Sequence, residues 1–94
     1  MDIVFPRTDL HFHPEEAVLF IAELDGRRID VRIEWCTLEA LSGAAGAEAV
    51  SEFVKRERGG IERAIKAHIA ARGVPPSRLI TLAADELDTL KPPG

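Results

Sequence analysis

The side chains able to do chemistry are few, and each has a plainer structural reading beside it. His11 and His13 stand two residues apart, so an extended backbone would send both imidazoles to one side, with Asp9, Glu15 and Glu16 as nearby oxygen donors. That is the outline of a divalent-metal site. Metal ligands, however, need rigid elements and hydrogen-bond partners behind them. This segment has neither an HxxxH helix nor a cysteine pair, so the expectation is a polar loop without metal. Cys36 is the single thiol; no histidine lies near it in sequence, and its neighbours Trp35 and Leu38 imply a packed thiol, not a nucleophile. His68 falls between Ile65 and Ile69 on an apolar stripe, where a half-buried imidazole bonded to a backbone group or a carboxylate is expected and catalysis is not. Arg27, Arg28 and Arg32 form a small basic cluster, but Glu23, Asp30 and Glu34 interleave it and no aromatic platform adjoins it, which disfavours nucleic-acid readout. Gly43-Ala44-Ala45-Gly46 lacks the Lys-Ser/Thr that follows a phosphate-binding glycine loop. No catalytic constellation, cofactor or metal is assigned.

The elements that must position these residues belong to one small domain. Ninety-four residues leave room for a single modest core, and although 46% of them are apolar, thirteen of those are alanine. Twelve basic against sixteen acidic residues give a net charge of −4, the wrong sign for bulk phosphate binding. One cysteine cannot close an intramolecular disulfide, which favours a reducing, cytoplasmic address. No apolar run approaches the ~20 residues of a membrane span, and Met1-Asp2-Ile3 opens with an acid where a signal peptide wants basic residues. No membrane association is expected.

Residues 17–33 carry the clearest pattern: two apolar-rich runs joined by Asp25-Gly26, a dipeptide suited to the positive φ angles of a two-residue type I′ turn. If those two residues are the turn, Leu24 pairs with Arg27, Glu23 with Arg28, and so on to Val18 with Ile33. Alternation then places Val18, Phe20, Ala22, Ile29, Val31 and Ile33 on one apolar face. Before the hairpin, residues 2–5 read as a short strand ended by Pro6, and residues 7–16 as a connecting loop. After it, Leu38, Ala40 and Leu41 allow a short helix that Gly43 and Gly46 terminate. Residues 47–72 repeat apolar positions with a period of 3.6 and predict one long helix, its stripe in phase across Gly59-Gly60, which marks the place for a kink. Arg72-Gly73 and Pro75-Pro76 stop it. Residues 78–82 predict a last strand with Ile80 and Leu82 on one face, followed by a helical turn through Leu87. The expected fold is α+β: a small antiparallel sheet of about four strands, order β-β-β-α-α-β, with a long helix on one face. Residues 1–90 make the domain and 91–94 a disordered tail.

These motifs also carry a resemblance. Ile3-Val4-Phe5-Pro6, Val18-x-Phe20-x-Ala22-x-x-Asp25-Gly26, Ile33 with Leu38 five later, and Phe53-(x4)-Arg58-x-x-Ile61-Glu62-x-Ala64 together resemble a family of short bacterial proteins, domain of unknown function 1488 (DUF1488). The chain departs from the family in having Val31 where members often carry Cys, and Phe12 where the first loop offers Trp. The resemblance implies a stand-alone bacterial cytosolic α+β protein of no assigned activity, and it singles out Arg58. The plain reading of Arg58 is an i,i+4 ion pair with Glu62; the sharper one is that it reaches past Gly59-Gly60 to an oxygen-bearing group on a partner.

One surface stands out. Opposite the core face, the hairpin pairs Ile21 with Asp30 and Leu19 with Arg32, too apolar for a solvent face and too charged for a core. The expectation is therefore a non-enzymatic interaction or regulatory module, a homodimer included, that engages a protein partner or itself through Leu19, Ile21, Arg32 and Arg58. The alternative is a small regulator, metal-dependent through His11/His13 or nucleic-acid-associated through Arg27/Arg28/Arg32.

Overall fold

Asp25 and Gly26 have φ angles of 53° and 78°, the left-handed pair that a type I′ turn requires. The turn joins β3 (Ala17–Leu24) to β4 (Arg27–Glu34), and the register runs from Leu24 opposite Arg27 to Ala17 opposite Glu34, as the turn dictates. All six residues assigned to the inner face are fully buried. The computed structural model describes residues 3–6, 10–13, 16–43 and 46–90; the tail expected at 91–94 lies outside them.

The fold is α+β as expected, and among the described residues the sheet has five strands where about four were expected. β1 (Ile3–Val4) and β2 (Leu10–His13) both run antiparallel to the same edge of β3, so the segment expected to be a loop before the hairpin contains a strand. Between Val4 opposite Glu23 and Leu10 opposite Phe20, the edge strand advances six positions while β3 advances three. Pro6, which has no N–H to give a ladder, falls in that interruption. Pairing then resumes through Leu10-His11-Phe12-His13, whose alternation suits a strand with one face inward.

The last strand, β5 (Leu79–Thr81), lies parallel to β4, with Asp30 opposite Leu79 and Arg32 opposite Thr81, so the sheet is mixed and not antiparallel. Three helices separate the two strands: α1 (Trp35–Ser42), α2 (Ala47–Arg56) and α3 (Arg58–Arg72). A crossover of that length carries the chain back to the starting end of β4, from which a parallel strand follows. Arg78, itself at a φ of 56°, secures the entry by donating from Nε to the Arg28 carbonyl at 2.8 Å and from Nη2 to the Arg27 carbonyl at 3.3 Å.

The helix expected over 47–72 is two helices, divided at Glu57 with φ −97° and ψ 13°. The break precedes the glycine pair. Backbone bonds from Glu57 N–H to the Phe53 carbonyl and from Ile61 N–H to the Glu57 carbonyl carry the ladder across, and Val50, Phe53, Val54, Ile61, Ile65 and Ile69 stay on one buried stripe. α1 ends at Gly43, whose φ of 69° lets its N–H close on the Glu39 carbonyl. Trp35, Leu38 and Leu41 of α1 face inward; Cys36, one residue round the helix from Trp35, is exposed, contrary to the packed thiol expected. A 3-10 helix (Ala84–Leu90) adds Leu87 to the core and packs on α3 and α1. The helices and the inner face of the sheet share one continuous core.

Candidate functional site

Because all the helices bury the face of Val18 and Phe20, the other face of the sheet is left without a layer among the described residues. Alternation puts Ala17, Leu19, Ile21 and Glu23 of β3 and Arg28, Asp30, Arg32 and Glu34 of β4 there. Ala17 is buried, Leu19, Ile21, Asp30 and Arg32 are half-buried, and Arg28 is exposed. Register extends the face to both edges. Val4 lies opposite Glu23, and Leu79 opposite Asp30. These two are the exposed large hydrophobic residues among those described, at 55% and 49% accessibility, and both flank the Leu19/Ile21 patch. Sequence reasoning missed them because the pairing of β1 and β5 is not local; the signal that could have found Leu79 is its alternation with buried Ile80.

The charges on this face are not equivalent. Arg28 Nε donates to Asp30 Oδ1 at 2.7 Å, an exposed pair. Arg32, between Leu19 and Thr81, makes no ion pair or side-chain hydrogen bond among the described residues. A half-buried guanidinium with an aliphatic neighbour and no carboxylate of its own is a ready contact for an acid or a carbonyl from outside.

Arg58 is not on this face. It opens α3 in the helical layer, where its Nε donates to Glu62 Oε2 at 2.9 Å and its Nη2 to the Pro6 carbonyl at 3.4 Å. The carbonyl it reaches past the glycines belongs to its own chain, so Arg58 ties α3 to the end of β1. The basic cluster is likewise divided: Arg28 and Arg32 share the open face, whereas Arg27 has the parity of Ile29 and points to the other side at the hairpin tip. His11 and His13 are exposed on the same side of β2, beside Leu19 and Ala17. No group of three or more potential metal ligands occurs among the described residues.

His68 is held as its position on the stripe suggested. Its Nδ1 meets Glu86 Oε2 of the 3-10 helix at 2.5 Å, and Glu86 Oε1 accepts the Ala83 N–H at 3.0 Å. Burial raises the Glu86 pKa, but the Ala83 N–H, the hydrogen bond and charge of His68 and the charge of Arg72 outweigh it, so the carboxyl ends below its ordinary value. This contact fastens the C-terminal helix to α3, away from the open face. No described helix is long and apolar enough to cross a membrane.

No family model matches the chain, and no curated protein matches it. Among solved structures it is similar to a protein of unknown function from the DUF1488 family of Shewanella loihica PV-4. The TM-score is 0.71 at 23% sequence identity, covering 87% of this chain and 94% of that one. The shared architecture extends over nearly the whole of both chains, and on that ground this chain is a DUF1488-like domain in its fold.

Proposed function

We propose that this protein is a non-enzymatic interaction module, acting in the bacterial cytoplasm, whose contact surface is the open face of the sheet. One observation carries the reading. Val4 and Leu79, at opposite edges, and Leu19 and Ile21, at the centre, lie on the sheet face that no described helix covers, and Arg32 stands among them without an acid partner among the described residues. Aliphatic side chains interleaved with charge on an uncovered sheet face are the composition of a contact patch. Arg58 is omitted from this surface because its guanidinium serves the chain's own Glu62 and Pro6.

The test is quantitative affinity capture with the wild-type chain, Leu19→Glu and Ile21→Glu, further copies of the chain itself being counted among the captured proteins. A partner held by the wild type and lost from both variants supports the face as the contact. An unchanged set of captured proteins overturns it.

A further inference from the structure

The open face is patterned to match itself. Along β4 its side chains read Arg28, Asp30, Arg32, Glu34, that is plus, minus, plus, minus, a series that changes sign when reversed about the midpoint between Asp30 and Arg32. On β3 the same midpoint falls between Ile21 and Leu19, because Ile21 is paired with Asp30 and Leu19 with Arg32. We propose that the occupant of this face is a second copy of the chain, related by a twofold axis that crosses the strands at this midpoint. The inference rests on the reading of the face as a contact surface and names its partner.

A twofold axis lying between two stacked sheets and crossing their strands keeps each strand over its own copy and reverses its direction. Ile21 then sits over Leu19 of the second copy, Asp30 over Arg32, and Arg28 over Glu34. Each base of β4 meets an acid and Ile21 meets Leu19, while at the two edges Val4 lies over His13 and Leu79 over Thr81 of the second copy. Sliding the copies by one residue pair destroys the match: Asp30 then faces Asp30 and Arg28 faces Arg32, or in the other direction Arg32 faces Arg32 and Asp30 faces Glu34. The charges therefore specify a register as well as a face. Arg32, without a carboxylate within its own described chain, acquires one from Asp30 of the second copy. Although the chain as a whole is at −4, which opposes indiscriminate self-association, this register pairs all four charges of β4 with opposite ones.

Size sets the strength. With eight residues each on β3 and β4, six on β1 and β2 together and three on β5, at ~3.3 Å per residue and ~4.8 Å between columns, the face offers about 400 Å² of projected area per copy. Two copies bury roughly 800 Å², below the range of stable interfaces, so the dimer is a weak, reversible one.

Sedimentation equilibrium from about 1 µM to about 1 mM reads this directly. The wild type passes from one-copy to two-copy mass across that range. Asp30→Arg alone sets like charges across the axis and raises Kd at least about tenfold, as does Arg32→Asp alone. The double variant Asp30→Arg/Arg32→Asp, and an equimolar mixture of the two single variants, associate again, while circular dichroism melts show that every variant is folded. A wild type that stays monomeric to the top of the range overturns the inference, as do single variants that associate like the wild type or a mixture that fails to recover. A monomeric wild type whose captured partner is still lost on Leu19→Glu removes the second copy and leaves the contact face standing; indifference of all capture to Leu19→Glu and Ile21→Glu removes the face itself.

Discussion

At the scale of single residues, Glu86 holds the most consequential side chain outside the open face. Its carboxylate joins the Ala83 N–H to His68, and thereby the 3-10 helix to α3. Burial works against its ionisation, and the N–H, the imidazole and the nearby Arg72 work for it with the larger combined effect. The folded chain thus releases this proton more readily than the unfolded chain. The unfolded state therefore binds more protons through the window, and stability rises with pH there. Glu86 contributes in full above its ordinary value of 4.5, and the contribution is lost as the pH falls through the lower folded value. Glu86→Gln removes the titration. At about pH 6 the variant is expected to be less stable by about 1 kcal/mol, a fall in Tm of roughly 4–8 °C. The gap between the two proteins narrows as the pH is taken below 4.5. Thermal melts across that pH range check it, and a gap that stays constant assigns the acid sensitivity to other groups.

At the scale of elements, the glycines of α3 show how position governs cost. Gly59 and Gly60 fall in the first turn, where backbone N–H groups have no acceptor within the helix, so the chain divides at Glu57 and the glycines interrupt nothing. A Cβ added at Gly59 meets only an Arg63 guanidinium nitrogen at 3.7 Å, an ordinary contact. Gly59→Ala is accordingly expected to stabilise the protein by about 0.5–1 kcal/mol through the lost freedom of the unfolded chain, measured as a higher urea midpoint at unchanged m-value. The hairpin could be read from the residues alone because both its signals are local: Asp25-Gly26 fixes the turn, and alternation fixes which side faces in. β2 and β5 could not. The pairing of Leu10-His11-Phe12-His13 depends on its placement beside β3 and not on a local turn, and the direction of β5 depends on where the helices return the chain. Cys36 was misjudged for a related reason, since Trp35 and Leu38 are its neighbours along the chain but occupy the opposite side of α1. Of the candidate surface, the centre at Leu19, Ile21 and Arg32 follows from the local turn, whereas Val4 and Leu79 join it only through non-local pairing.

At the scale of the whole molecule, one sheet divides two environments, and adjacent residues of β3 report on each. Phe20 is fully buried against the helices; Leu19, its neighbour, is half-buried on the face without a layer. Removing the phenyl ring by Phe20→Ala forfeits its transfer free energy and opens a cavity, about 3–5 kcal/mol. A domain of this length has roughly 5–14 kcal/mol in all, so that variant is close to unfolding. Leu19→Glu is expected to cost no more than about 1 kcal/mol, because its carboxylate remains hydrated. Urea titrations at a few micromolar, where a weak dimer is dissociated, measure both changes on the single chain. The comparison is independent of any partner: a Leu19→Glu loss as large as that of Phe20→Ala would mean that part of the chain covers the face, leaving neither a partner nor a second copy anywhere to dock. A small loss leaves Leu19 free to be judged by association alone, which is what separates a residue kept for contact from one kept for folding.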